Sequence, residues 1–270
     1  MNSSPSSYKH FDLNIDDHSI AWLTIDVAGR SVNVLAQEVM EELGAVVRAA
    51  AAASPKGFVF KSGKPRGFIF GADVNEFAGF KTRADIESHI HDVLATFRMI
   101  EEMPCPTVIL VDGICVGGGF ELALSCDIIY CSEGSRFALP EINAGTLADA
   151  ATIKLPKRIP HHVAMEMLFT GRWMEADEAL HHGLVNAVLP ADQLMDHARG
   201  IARQLADGPP LVFAAIKEVV REAEDKAFQD VMNRITKRQL ETVDILYDSD
   251  DNLEGARAFS EKRSPVWKGK

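Results

Sequence analysis

The chain has 270 residues, 47% hydrophobic and 25% charged, with a formal net charge of −11 at pH 7. That length supports one large core or a core with an appendage, and the composition is that of a globular protein in water. The acidic balance argues against a nucleic-acid partner, whose phosphates need a field of opposite sign, and no run approaches the ~20 apolar residues that span a membrane.

The opening MNSSPSSYKHF (1–11) is polar and lacks the apolar segment of a secretory signal, so it reads as a frayed tail and the expected location is cytoplasmic. Short β-rich runs then alternate with helical periods. Residues 19–26 predict a strand, 36–52 a helix, 57–62 a strand, 83–103 a helix and 106–113 a buried strand. After the glycines at 117–119 come a short helix (121–127) and a further strand (128–132). This βαβ rhythm implies parallel pairing. From about residue 150 the spacing is helical, including one long segment from Ala227 to Tyr247, and only 184–190 interrupts it with a strand-like run. The expected organisation is an α/β core over 1–190 and a helical region over 191–270.

The four cysteines, Cys105, Cys115, Cys126 and Cys131, form no C-x-x-C pair and lie in or beside apolar segments, which suits buried reduced thiols. His161–His162 and His181–His182 are adjacent on helices and point in different directions, while His89 and His91 are two apart. No metal site is expected from them. There is no H-E-x-x-H, G-x-S-x-G or dinucleotide fingerprint, nor a phosphate-binding P-loop.

The informative stretch is GICVGGGFELALSCDI (113–128), which places three glycines where a strand gives way to a helix. Glycine is costly in either setting, so something must approach the backbone closely here. Free N–H groups gather at such a helix start, forming half of an oxyanion hole. GKPRGFIFGADVNEF (63–77) also follows a strand and can supply the second donor. Glu121 sits in the first turns of the helix, and Glu141 follows the next strand in FALPEINAG. Parallel strands place both carboxylates at one cleft, an arrangement suited to removing and delivering protons about one carbon–carbon bond.

GFIFGADVNEF (67–77) and DGICVGGGFELALSCDIIYCSEGSRFALPE (112–141) resemble the two signature blocks of the enoyl-CoA hydratase/isomerase (crotonase) superfamily. Residues 170–190 and 254–270 are similar to family segments too. FALPE, Asp149, the LPK at 155–157 and the PVWKGK ending most resemble the carnitinyl-CoA dehydratase branch. The resemblance implies a spiral of ββα turns with a C-terminal helical trimerisation region, and a homotrimer or homohexamer. It implies reversible syn hydration of a 2-enoyl-CoA thioester through an enolate, on carnitinyl-CoA or crotonobetainyl-CoA in that branch. The alternative is isomerisation or another enolate reaction on a branched or polar acyl-CoA, against which the presence of both glutamates weighs. Acyl-CoA is the implied partner, with coenzyme A arriving as part of the substrate and no cofactor or metal required.

By the same resemblance the amides of Ala72 and Gly118 hold the thioester oxygen and Glu121 and Glu141 are the catalytic acids. Arg30 lies near the CoA phosphates, and Phe259 and Lys262 reach CoA on a neighbouring subunit. Gly71, Asp73, Val74, Gly117 and Pro140 flank these positions and complete the expected substrate-binding set. The sequence departs from the common hydratase at 148–152, where ADAAT replaces a glycine-rich loop beside the acyl group. Asp149 either caps the helix that follows or lines, with Trp173, a pocket for a cationic acyl group.

Overall fold

Alternating apolar strands and amphipathic helices build a succession of turns that adds strands to a large sheet and shorter stretches to a second layer. The computed structural model describes residues 8–77 and 79–270; residues 1–7 of the expected tail lie outside it. The large sheet has the order β1 (Phe11–Ile15), β2 (Ile20–Ile25), β3 (Gly57–Ser62), β4 (Thr107–Val111), β6 (Ile128–Ser132), β9 (Ala187–Leu189). Only β1–β2 is antiparallel; every other pairing is parallel, as the βαβ rhythm requires. A second sheet joins β5 (Ile114–Val116), β7 (Arg136–Ala138) and β8 (Met174–Glu175).

Both faces of the large sheet are covered. On one side α1 (Gln37–Ala52), α3 (Arg83–Glu101) and the second sheet share a core that holds Phe58, Phe60, Phe68, Phe97, Phe120 and Phe137, all fully buried. Each contributes about 1.5–3 kcal/mol by leaving water. On the other side α8 (Ala191–Ala206) lays Leu194, Ala198, Ala202 and Ala206 across Ile20, Val59, Val108 and Tyr130. The helices α9 (Pro210–Ala223), α10 (Phe228–Thr236) and α11 (Glu241–Asp248) follow, with a small core of their own at Ala215, Leu240 and Val243. Lys217 ties α9 back by donating to Asp127 at 2.6 Å and to the Cys105 carbonyl at 3.2 Å.

Three expectations change. The end of the supposed tail is packed: His10 and Phe11 are buried, and the His10 amide donates to Glu42 at 2.7 Å as β1 begins. The 227–247 segment is two helices, broken where Arg238 takes a φ of 54°. The glycine run does not follow the main-sheet strand β4 directly, because the three-residue β5 of the second sheet intervenes. The cysteines are free thiols, Cys126 half-buried and the others buried. Among the described residues no helix is long and apolar enough to cross a membrane.

Glycine 119 illustrates how tightly the turns stack. A Cβ there would stand 2.6 Å from Ile69 Cβ and 3.0 Å from its carbonyl oxygen, neither of which can yield. Gly119→Ala is expected to cost about 1–3 kcal/mol by overpacking. Gly200→Ala, in open space on α8, is expected to gain about 0.5–1 kcal/mol of helix propensity. Urea unfolding of both variants measures the two opposite signs.

Candidate active site

The two glycine-bearing segments run side by side. Phe68 N–H donates to the Ile114 carbonyl at 2.9 Å, Val116 N–H to the Ile69 carbonyl at 3.1 Å, and Ile69 bridges Cys115 in parallel register. Carried along, this register sets Gly67 against Gly113, Gly71 against Gly117 and Ala72 opposite Gly118. The glycine contacts agree. A Cβ on Gly113 would lie 3.1 Å from the Gly67 Cα, and one on Gly117 would lie 3.4 Å from the Gly71 Cα. All four glycines have positive φ, 139° and 88° in the first segment and 86° and 55° in the second.

The glycine run therefore answers several demands at once. Gly119 yields to Ile69, Gly117 makes room for a neighbouring segment and for Glu141, and Gly118 opens α4 (Gly118–Ala123). At Ala72 the bridge to Leu35 uses the Gly71 carbonyl and the Asp73 amide, so the Ala72 amide points to the other side of its strand. Gly118 is the first residue of α4, where an N–H has no helical partner. Neither amide donates to a partner among the described residues.

Glu121 lies one turn into α4 and is 8% exposed. Its Oε1 accepts from the Ala151 amide at 3.0 Å, at the start of α5 (Asp149–Arg158). The cap position of α5 is Ala148, which has no side chain to offer, so Glu121 caps that helix from another element. This corrects one reading of Asp149, which is the first helical residue rather than the cap. Burial pushes the Glu121 carboxyl above its ordinary range and Asp149 adds to this, while the Ala150 and Ala151 amides and Lys154 oppose it.

Glu141 sits on the 3-10 turn Pro140–Ala144 that follows β7. Because β5 and β7 pair in parallel, with Val116 opposite Ala138, their ends bring Gly117 and Glu141 together. A Cβ on Gly117 would stand 2.7 Å from Glu141 Oε1. The other oxygen, Oε2, is buried with no hydrogen-bond partner among the described residues. Burial, and after it the charges of Glu121 and Asp149, push the Glu141 carboxyl up to about 7. A buried carboxyl oxygen without a donor is best kept as a neutral acid.

The other expected residues are distributed as follows. Asp73 is turned inward, binding Arg30 at 2.9 Å and accepting from the Asn75 amide at 3.1 Å, so its carboxylate holds the turn into α2 (Val74–Phe77). Arg30 remains half exposed beyond that ion pair, and Val74 is 65% exposed. Pro140 opens the 3-10 turn and packs on Gly171. Asp149 is half-buried, its carboxyl raised by burial and drawn back by His89 of α3. Trp173 is 41% exposed, and one face of its ring carries the Arg136 guanidinium at 4.5 Å from the centroid. Phe259 and Lys262 are at the exposed C-terminal end of α12 (Glu254–Ser260), Phe259 with 87% of its surface uncovered. Sequence reasoning missed Lys154 and Ser125, which join α5 to the turn that closes α4, and Glu101, which pairs with that lysine; the signal was the four-residue spacing that lets Ser125 bond back to the Glu121 carbonyl.

A profile of the enoyl-CoA hydratase/isomerase family matches residues 17–270. Carnitinyl-CoA dehydratase from Salmonella paratyphi A is 40% identical over 200 residues, covering 72% of this chain and 77% of that one. Among solved structures, an enoyl-CoA hydratase subunit from Geobacillus kaustophilus superimposes with a TM-score of 0.87 at 32% identity, covering 98% of this chain and 100% of that one. An enoyl-CoA hydratase from Bacillus anthracis superimposes with 0.85 at 27% identity, over 97% and 100%.

Gly117, with its φ of 55° and ψ of −131°, is the joint between the glycine loop and Glu141. Gly117→Ala is expected to lose about 1–3 kcal/mol of stability to backbone strain, because an L-residue rarely adopts this conformation. Guanidinium unfolding measures it, and an unchanged midpoint contradicts the geometry.

Proposed function

The chain belongs to the enoyl-CoA hydratase/isomerase family as a hydratase/dehydratase-type lyase, and from that premise we propose a reversible syn hydration of a 2-enoyl-CoA thioester to the 3-hydroxyacyl-CoA. The carrying observation is the pair of unlike glutamates beside two unpartnered amides. Ala72 and Gly118 donate to the thioester oxygen as it gains enolate charge, and losing one such donor costs about 2.7–4 kcal/mol in comparable sites. Glu121, anchored by the Ala151 amide, takes a proton from water as it attacks Cβ. Glu141 delivers its proton to Cα, and its unpartnered buried oxygen suits that donor role. Dehydration reverses each transfer. Electrons stay paired throughout, so this cycle calls for no redox cofactor, and the two amides carry the enolate charge that a metal would otherwise take.

The CoA portion is assigned to Arg30 and, from a neighbouring subunit, to Phe259 and Lys262. The uncovered Phe259 supports a homotrimer or a homohexamer built from it. Gly71, Val74, Gly117 and Pro140 shape the walls, with Asp73 acting through Arg30.

For the acyl group, the similarity to carnitinyl-CoA dehydratase and the half-buried Asp149 support a cationic substituent such as the trimethylammonium of crotonobetainyl-CoA. Trp173, with one face under Arg136 and 41% of its surface exposed, is the aromatic side chain assigned to the same pocket. The comparison that tests it is kcat/KM for crotonobetainyl-CoA against crotonyl-CoA. Preference for the charged substrate, reduced in Asp149→Asn, is expected; equal or better use of crotonyl-CoA removes the cationic pocket.

Glu121→Gln and Glu141→Gln are each expected to fold and to lose about 100- to 10,000-fold in hydration rate, as for other general acid–base residues. Near-normal turnover by either variant contradicts its role. The active form holds one proton between the two carboxyls, on Glu141 before hydration and on Glu121 before dehydration. The kcat/KM profile is then bell-shaped, falling on the alkaline side as the pH rises through about 7 and the Glu141 proton is lost. It falls on the acid side as Glu121 is protonated. Hydration has no net proton uptake, so both directions share the same profile. A rate level from pH 6 to 9 would falsify the shared-proton assignment.

A further inference from the structure

Lys154 is poorly exposed for a lysine, with 16% of its side chain uncovered, and it joins α5 to α3 and to the turn that closes α4. It lies on α5 three residues beyond Ala151, so both face α4 from the same side of the helix. Its Nζ donates to Ser125 Oγ at 2.8 Å and pairs with Glu101 in the last turn of α3. Ser125 in turn donates its hydroxyl to the Glu121 backbone carbonyl at 3.0 Å. Glu121 is therefore held at both ends: its carboxylate by the first turn of α5, and its main chain, through Ser125, by a lysine on the next turn of the same helix.

We propose that Lys154, anchored by Glu101, is a positioning residue that clamps the start of α5 onto Glu121 and keeps that carboxylate available as a base. The inference rests on the reading of Glu121 as the hydration base. Its physical content is that α4 has only six residues, too few to hold a buried carboxylate by itself. The Ala151 contact persists only while α5 stays pressed against α4. The charged groups acting on the Glu121 carboxyl are Asp149 and Lys154 on α5 and Glu141 on the 3-10 turn; His89 acts on Asp149, and Glu101 on Lys154. Of the three that act directly, two are acidic, so the lysine alone opposes protonation by charge. Lys154 is not placed against the oxyanion loops or the CoA residues, and its removal is expected to leave substrate binding intact.

The experiment compares wild type, Lys154→Met, Lys154→Arg and Glu101→Gln. Lys154→Met is expected to lower kcat for crotonyl-CoA at least about tenfold, with KM held within about twofold. Its acid limb is expected to move upward by about half a pH unit or more. Lys154→Arg restores most of the rate, and Glu101→Gln gives a smaller loss of the same kind. Carboxyl ¹³C NMR titration, with Glu121→Gln to assign the resonance, follows the upward shift of Glu121 independently of turnover. A folded Lys154→Met with wild-type kcat, or with a raised KM and an unmoved Glu121 titration, overturns the proposal. Should Lys154→Met fail to fold, the Glu121 titration in Lys154→Arg and Glu101→Gln decides: a shift in Glu101→Gln that is absent in Lys154→Arg supports it, and any other pattern overturns it. A wild type that does not hydrate enoyl-CoA at all defeats the functional reading instead, and the titration still judges the clamp.

Discussion

Everything at the candidate site depends on two stretches of backbone lying directly against each other. Residues 67–72 and 113–118 run in register, and the close approaches fall where glycine faces glycine, Gly67 to Gly113 and Gly71 to Gly117. A Cβ on Gly67 would stand 2.9 Å from the Ile114 nitrogen and one on Gly113 3.1 Å from the Gly67 Cα, so side chains there would force the strands apart. Backbone entropy lost at four glycines is the cost, and what it secures is a pair of main-chain amides, Ala72 and Gly118, fixed on neighbouring turns of the spiral. Amides held this way need no reorganisation when charge develops near them, which is the most effective form of electrostatic stabilisation. The same closeness sets Gly117 against Glu141, where a Cβ would stand 2.7 Å from Oε1.

Two glutamates of identical chemistry acquire different character from this frame. Burial raises Glu121 above its ordinary range, but helix-start amides and a nearby lysine oppose that rise, so its anionic form is penalised less than it would be by burial alone. Glu141 is buried with one oxygen unpartnered and two carboxylates close by, so its neutral form is favoured up to about pH 7. Environments that push two acids apart assign one as base and the other as acid without any difference in residue type. Asp149 contributes to both by its charge, and His89 moderates Asp149 in turn.

Much of this was legible from the chain. The long main-sheet strands carry continuous apolar runs, and the glycine loops and both glutamates stand out because each is expensive where it sits. The geometry between them was less so. The strands β5 and β7 have three residues each, too few for a period of two to register, yet their parallel pairing is what joins Glu141 to Gly117. The break between α10 and α11 falls at Arg238, a residue that gives no turn signal although it adopts a positive φ. His10 lies in a polar stretch and is buried by contacts with residues far along the chain. Trp173 meets Arg136 across the β7–β8 pair, and Lys154 meets Glu101 and Ser125 only after α3, α5 and the end of α4 pack together. Contacts of this kind depend on tertiary placement, which no local pattern encodes.

The glycine-free stretch at 148–152 connects these strands of argument. Alanines favour helix where glycines would favour a loop, so α5 begins as regular helix at Asp149, immediately beside Glu121. A helix start carries unpaired amides and a positive dipole end, and Ala148 offers no side chain to satisfy them. Glu121 fills that vacancy, which makes one carboxylate both the cap of a helix and, in the proposed cycle, the base. Each protonation of Glu121 during turnover weakens the cap, since a neutral carboxyl is the poorer acceptor. The helix must therefore be held in place by something that does not titrate with the substrate. The Glu101–Lys154–Ser125 chain, one turn along α5 and outside the reacting bond, is placed to do that.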